Sequence, residues 1–434
     1  MLGLYRFVTR CGALPMRGLL RYRTIRGKEA PDRLGERMGR PALPRPDSDA
    51  LIWLHAASVG EAQSALIIIE RLLSQNPYLH ILVTTGTQSS ADIMANRLPS
   101  RAFHQFIPLD HPTWINHFLD YWRPCAVLWM ESELWPNMLG TVRHRQIPAF
   151  LLNARLSERS FRRWKCLPAN EMKDFLSVFH AILTQSPDET GRFKALGADQ
   201  ATTTGNLKYD ADPLPVSAPT LETLQNALAG RPLWLYASTH DGEEDLACRL
   251  HQSLRKTFPG LLTIIVPRHP ERRGDISATC EKYDLKVTLR GTHKTLPQAG
   301  DDIYLADTLG ELGLFYALAP VCCIGRSFSN DGGGGHNPIE AARHDCAILY
   351  GPHIRNLADI YSHFEQADAA IRLADEDDFK KTLSALLNDP EKQRSLRTKA
   401  AALVKEQAQA LTHIENALAP FLPKQEQDKH STCA

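Results

Sequence analysis

The sequence predicts an α/β protein made of two doubly wound, Rossmann-like domains, each a parallel sheet with helices on both faces. Three observations carry that prediction. Short apolar runs alternate with stretches of helical spacing through both halves of the chain, the signature of βαβ units and parallel sheets. The segment "YDADPLPVSAPT", with Pro213, Pro215 and Pro219, separates the two series, as hinges between domains do. The length of 434 residues suits two or three domains. The expected organisation is a basic segment over 1–40, a first domain over 41–211, a second over 212–422 and a polar, disordered tail over 423–434.

Residues 1–40 hold ten Lys or Arg against three Asp or Glu, a net of +7. Leu4, Tyr5, Phe7, Val8, Leu14, Leu19 and Leu20 are interspersed with Arg6, Arg10 and Arg17, and Pro15 interrupts the run. A spanning helix needs about 20 mainly apolar residues, and a cleavable leader needs an uncharged core. The pattern fits neither. It fits a segment lying on an anionic membrane surface, apolar side inward and arginines among the headgroups, and equally a basic, half-ordered N-terminus.

In the first domain "LIWLHAA" leads into "VGEAQSALIIIERLLSQ", "HILVTTG" into "TQSSADIMANRL", and "CAVLWME" into "SELWPNMLGTVRHR". "AFLLNAR", "AILTQS" and "ATTTGN" read as further strands. In the second domain "LWLYAST" precedes "GEEDLACRLHQSLRK", "LLTIIVPRH" precedes "ERRGDISATCEKY", and "DIYLADT" precedes "LGELGLFYALA". "VCCIG" and "CAILYG" are strands flanking the helical "PIEAARHD", and residues 376–420 are mostly helical in spacing. Open α/β sheets bind ligands beyond the carboxyl ends of their strands. The residues just after each strand therefore carry the most weight, and two such domains facing each other make a cleft.

The bulk composition excludes several classes. Apolar residues make up 43% and charged residues 23%, with a net charge of +1, so no global field points to nucleic acid. The nine cysteines include no CxxC pair, which fits a reducing compartment rather than a disulfide framework or a zinc site.

Ser58 and Glu61 stand three apart after the first strand, the spacing of a capping box. Glu61 is thus either a helix cap or a carboxylate aimed at a substrate, and the local pattern does not choose. Glu131 and Glu133 follow the apolar "AVLWM" directly, where acidic residues also serve as helix-dipole partners. Lys208 lies at the domain junction. Arg268 and His269 end a β-branched strand, where Arg can grip a phosphate with both arms. In "ASTHDGEE", Ser238 and Thr239 can donate hydrogen bonds, and Asp241 as a helix cap is the plainer reading. "GGGGHNPIEAA" combines backbone freedom with Asn337 as N-cap, Pro338 at the first helical position and Glu340 as capping partner. Such a helix start is a ready anion site, but the spacing matches neither the dinucleotide fingerprint nor the P-loop. The two DxD sequences, Asp210–Asp212 and Asp375–Asp377, read as chance, and no metal site is expected.

Taken together, "LHAASVGE", "MESELWPN", "NARLSERS", "GNLKYD", "ASTHDGEE", "VPRHPER", "DTLGELGLFYALAPV" and "GHNPIEAA" closely resemble the 3-deoxy-D-manno-octulosonic acid (Kdo) transferases of lipopolysaccharide assembly. The resemblance covers nearly the whole chain. It implies the GT-B glycosyltransferase architecture of two facing domains, CMP-Kdo as donor and a tetraacylated lipid A precursor (lipid IVA) as acceptor. It also implies no metal or cofactor and a place at the cytoplasmic face of the inner membrane. Glu61 matches the family's general base, and Glu131 and Lys208 its transition-state stabilisers. Arg268, His269, Gly310, Glu311, Leu312, Asn337, Pro338, Ile339 and Glu340 match its CMP-binding positions. The alternatives are a sugar-nucleotide epimerase on the same fold, and a non-catalytic protein that binds the lipid A precursor.

A base role sets two influences on Glu61 against each other. The helix N-terminus favours the charged carboxylate and weakens it as a base, while burial in a cleft closed over both substrates, or a nearby Glu131, would raise its pKa.

Overall fold

The computed structural model describes residues 2–422 apart from 229, 292 and 330; the tail expected over 423–434 lies outside the described residues. The chain divides into two units. One takes the chain up to Ala211 and again from Gln407, and the other takes Asp212–Glu406.

Among the described residues the first unit holds a seven-stranded sheet in the order β3-β2-β1-β4-β5-β6-β7. Its strands are β1 (Leu51–His55), β2 (His80–Thr85), β3 (Ala102–Phe106), β4 (Ala126–Met130), β5 (Ala149–Ala154), β6 (Phe179–Thr184) and β7 (Ala201–Thr203). Every pairing is parallel. Side chains alternate across the sheet. Leu51 and Trp53 of β1 join Val127 and Trp129 of β4 in one core, and Ile52 and Leu54 join Ala126, Leu128 and Met130 in the other. Burial on both faces is what makes these strands continuous apolar runs in the sequence.

The second unit repeats the plan in the order β10-β11-β9-β8-β12-β13-β14, again seven parallel strands among the described residues. They are β8 (Leu233–Thr239), β9 (Leu262–Pro267), β10 (Val287–Leu289), β11 (Ile303–Leu305), β12 (Val321–Ile324), β13 (Ala347–Tyr350) and β14 (Ala370–Arg372). In both sheets the chain first fills one side of a central strand, in the second sheet laying β11 between β9 and the edge strand β10, then crosses to that strand's other side, to β4 beside β1 and to β12 beside β8. Those are the topological switch points, where open sheets leave room for ligands.

The structure corrects two expectations. The second domain does not run to residue 422, because Ala410, Ile414 and Leu418 of the helix Ala410–Leu418 bury themselves with Leu66, Leu72 and Leu207 in the first unit's core. The segment "SELWPNMLGTVRHR" becomes helical only at Pro136, so Glu131 and Glu133 lie in a turn and are not dipole partners.

The basic N-terminus folds into helices Leu2–Cys11 and Ala13–Ile25, with Pro15 tolerated in the first turn of the second. One face of the first helix is anchored. Tyr5 OH donates to Asp110 Oδ2 at 2.9 Å, and Asn137 Nδ2 donates to Thr9 Oγ1 at 2.8 Å. The other face leaves Leu4, Phe7 and Val8 exposed, and Leu14, Leu19 and Ile25 are exposed on the second helix. Among the described residues no helix is long and apolar enough to cross a membrane.

Candidate active site

In the first unit the capping box forms, and it orients Glu61. Ser58 caps the helix Val59–Gln75. Its Oγ accepts the Glu61 N–H at 3.3 Å and donates to Glu61 Oε1 at 3.0 Å. Glu61 Oε2 accepts the Ala57 N–H at 2.8 Å. The carboxyl is held from both oxygens at the end of β1, with 7% of the residue exposed. Burial pushes its pKa up to about 7, with help from the Glu131 and Glu133 charges and against the Ala57 N–H and the Ser58 hydroxyl. A carboxyl that titrates near neutrality is matched to general-base work.

Glu131 follows β4, the strand paired with β1 at the switch point. Its φ is 52°, a conformation that a side chain bearing a Cβ adopts at some strain. Its N–H still donates to the Leu152 carbonyl at 3.0 Å, so the ladder to β5 continues through it. Lys208 lies on the 3₁₀ turn Leu207–Asp210, where Asn206 Oδ1 accepts its N–H at 3.1 Å. Burial raises the Glu131 pKa and lowers that of Lys208, and at both it outweighs their mutual attraction. Glu61, Glu131 and Lys208 are therefore linked electrostatically within one unit.

Asn153 escaped the sequence reading. It adopts a φ of 51°, and its Oδ1 accepts the Leu207 N–H at 3.0 Å. The same side chain favours the charged form of Glu131. One buried amide thus holds the Lys208 turn by a hydrogen bond and bears on the Glu131 charge. Its signal was present in "AFLLNAR", where a polar side chain interrupts a buried strand.

In the second unit the switch point lies between β8 and β12. Gly325 follows β12 so close to β8 that an added Cβ would sit 2.3 Å from the Ser238 carbonyl oxygen. Ser238 and Arg326 both take positive φ, 58° and 59°. Glu243, 1% exposed, holds these loops. It accepts the N–H groups of His240 at 2.9 Å, Arg326 at 2.7 Å and Phe328 at 3.0 Å. Asp241 does not cap the helix, whose N-cap is Gly242; it pairs with Arg272 at 3.0 Å.

Two histidines that the sequence reading did not single out meet here. His240 Nε2 lies 3.0 Å from His336 Nε2. Burial, then Arg326, lowers His240 to about 4, and burial, then His240 and Arg268, lowers His336 to about 3. The pair is neutral at pH 7 beside two arginines. Arg268 and His269 are exposed at the end of β9, and among the described residues the Arg268 side chain has no hydrogen-bonding or ion-pair partner.

The remaining expected donor positions are only partly free. Asn337 caps Pro338–Arg343 alone, its Oδ1 accepting the Ile339 N–H at 3.2 Å. Glu340 makes no capping bond; burial raises its pKa, against the Arg268 charge. Pro338 has no N–H and Ile339 has already given its own, so the anion-binding capacity expected of this helix start is reduced. The Glu311 carboxylate is gripped by the buried Arg290 at 2.6 and 2.8 Å and by Thr308 Oγ1 at 2.6 Å. Arg290, first of all, draws its pKa down to about 2. What Gly310, Glu311 and Leu312 leave open is backbone. Among the described residues no cluster of three His, Cys, Asp or Glu side chains is arranged for a metal ion, and Asp375 is used as a helix N-cap.

Comparison with known proteins agrees along the chain. The family model for 3-deoxy-D-manno-octulosonic-acid transferase (kdotransferase) matches residues 32–211. The 3-deoxy-D-manno-octulosonic acid transferase of Rickettsia bellii is 36% identical over 379 residues, covering 86% of this chain and 88% of that protein. The Haemophilus influenzae enzyme of that name is 31% identical over 416 residues, covering 94% and 95%. Among solved structures, UDP-GlcNAc 2-epimerase from Neisseria meningitidis superposes with a TM-score of 0.55 at 13% identity, covering 85% of this chain and 100% of that one. At that identity only the fold is shared, and it is the GT-B fold of two Rossmann-like units in one chain.

Proposed function

The chain belongs to the 3-deoxy-D-manno-octulosonic acid (Kdo) transferase family, and on that premise we propose that it transfers Kdo from CMP-Kdo to a hydroxyl of a tetraacylated lipid A precursor, without a metal ion, with Glu61 as the base. The observation that carries the reading is Glu61 itself, a carboxyl held from both oxygens at a switch point and titrating at about 7. The acceptor hydroxyl attacks the anomeric carbon of the donor as Glu61 takes its proton. The bond from that carbon to the phosphate oxygen breaks, and CMP leaves with the electron pair. CMP is a good leaving group, so no strong acid is required. Lys208 and Glu131 bear on the charge that develops at the sugar. Arg268, His269, the backbone of 310–312 and the Asn337–Glu340 turn hold the CMP.

Incubating the protein with CMP-Kdo and lipid IVA tests the proposal. Each transferred Kdo adds a discrete mass step to the lipid, and CMP release depends on the lipid. An epimerase would instead convert a sugar nucleotide with no lipid present, and a lipid-binding protein would give no mass step. Either result overturns the reading.

The site of action belongs to the same proposal: the cytoplasmic face of the inner membrane, reached through the N-terminal helices. Their exposed Leu4, Phe7, Leu14 and Ile25 alternate with arginines, the arrangement of an interfacial segment. Sedimentation with anionic phosphatidylglycerol vesicles is expected, weakening as salt screens the arginines, and zwitterionic vesicles are expected to bind less. Phe7→Asp is expected to weaken sedimentation without loss of fold, since Phe7 is 67% exposed. Equal binding to both vesicle types would defeat the electrostatic part of the proposal.

A further inference from the structure

The strap of chain before β1 reaches the Glu61 turn through a buried cation. Glu36 and Arg37 lie on the short helix Leu34–Arg37, at 2% and 3% exposure. Glu36 and Arg33 act as an edge clasp. Glu36 Oε2 accepts the Phe106 N–H at 2.6 Å, and Arg33 donates to both Glu36 oxygens at 2.8 and 2.9 Å. Arg37 points elsewhere. Its Nη2 donates to the Gly86 carbonyl at 2.7 Å, its Nη1 to the Ile107 carbonyl at 3.2 Å and its Nε to Glu29 Oε2 at 3.0 Å. Gly86 and Ile107 are the residues that follow β2 and β3. Gly86 donates its N–H to the Ala57 carbonyl at 3.3 Å, and the Ala57 N–H is the one that holds Glu61 Oε2.

We propose that Arg37 is a positioning residue for Glu61, fixing through Gly86 the backbone of Ala57 and hence the N–H that steadies the carboxylate. The inference rests on Glu61 as the base. A guanidinium fork can hold three acceptors in fixed directions; an ammonium is a point charge on a flexible stem and cannot. An N–H given to a carboxylate stabilises its charged form. Loosening the Ala57 N–H therefore raises the Glu61 pKa beyond about 7 and leaves less of the base ionised at neutral pH.

The test is kcat/KM against pH for three variants, with CMP-Kdo and lipid IVA, alongside the CMP affinity of each. In Arg37→Lys the acid limb of kcat/KM moves up by about one pH unit, a loss of about fivefold at pH 7, with CMP affinity unchanged. Gly86→Ala leaves Arg37 in place but sets a Cβ 3.0 Å from the Ala57 carbonyl oxygen, and it gives the same displacement even if Arg37→Lys folds poorly. Arg33→Lys loosens the clasp without touching Gly86, and its acid limb stays put. If Arg37→Lys and Gly86→Ala lower the melting temperature yet leave the limb where it was, Arg37 is structural and the inference fails. Glu61→Gln separates the two claims. An inactive Glu61→Gln with an unmoved limb in the Arg37 variant sinks only this inference, whereas an active Glu61→Gln sinks the base assignment beneath it.

Discussion

Glu61→Gln is expected to lower kcat by about 10²- to 10⁴-fold while CMP affinity stays at the wild-type level. The amide can accept the Ala57 N–H and donate to Ser58 Oγ, so both contacts of the carboxylate persist and only the proton-accepting capacity is lost. The pH dependence gives the sharper expectation. The wild-type carboxyl titrates at about 7 instead of the ordinary 4.5, so kcat/KM rises with pH to a plateau with its midpoint there. Stability runs the other way. The folded state holds the Glu61 proton more tightly than the unfolded chain does, so ionisation destabilises the fold. That penalty is absent below pH 4.5, grows between 4.5 and 7, and is constant above, at about 3 kcal/mol as an upper bound. Glu61→Gln removes it. The variant should melt no lower than wild type at pH 8, and its advantage should fade as pH falls below 4.5. A Glu61→Gln variant that still turns over at the wild-type rate would leave Glu61 as the capping-box partner of Ser58 and nothing more.

The strands that carry the site were legible because they are buried on both faces. "LIWLH" and "AVLWM" leave no polar position to confuse the reading, and the residues after them had to lie at the ligand edge. β3 was missed for the opposite reason. "AFHQF" sits at the sheet edge, and its polar residues have partners that only the fold supplies: Arg33 and Thr85 for His104, Trp122 for Gln105. β10 and β14 are three-residue edge strands with the same weakness. The helix Ala410–Leu418 was readable as a helix, but nothing in its spacing says which of two similar cores will accept Ile414 and Leu418. In the site, the identities of Glu61 and Lys208 were visible, but their ionisation was not, because it follows from burial among residues distant in sequence. The His240–His336 contact joins positions 96 apart, and the Arg290 grip on Glu311 joins positions 21 apart. Neither leaves a local pattern.

Lys208→Met is expected to reduce kcat by about 10²- to 10³-fold, the usual effect of removing one preorganised electrostatic partner, and also to destabilise the fold. The two losses have separate causes, and a second substitution distinguishes them. Removing one member of a buried charge pair leaves the other uncompensated, at about 3–5 kcal/mol for a fully buried pair. Lys208 and Glu131 are only part-buried, they attract without a direct ion pair, and the Arg155 charge also favours ionised Glu131, which places the loss below the lower end. Adding Glu131→Gln removes the stranded charge, so the double variant should recover most of the melting temperature. It should not recover turnover, because neither charge is then present to meet the transition state. The double variant also displaces the Glu61 titration. Glu131 is one of the like charges that hold the Glu61 carboxyl up at about 7, and without it that pKa falls, so the acid limb of the residual activity moves to lower pH. Thermal melts and kcat–pH profiles of the two single variants and the double variant form a complete cycle. Recovery of turnover together with stability in the double variant would show that Lys208 serves only to neutralise Glu131 and has no part in the chemistry.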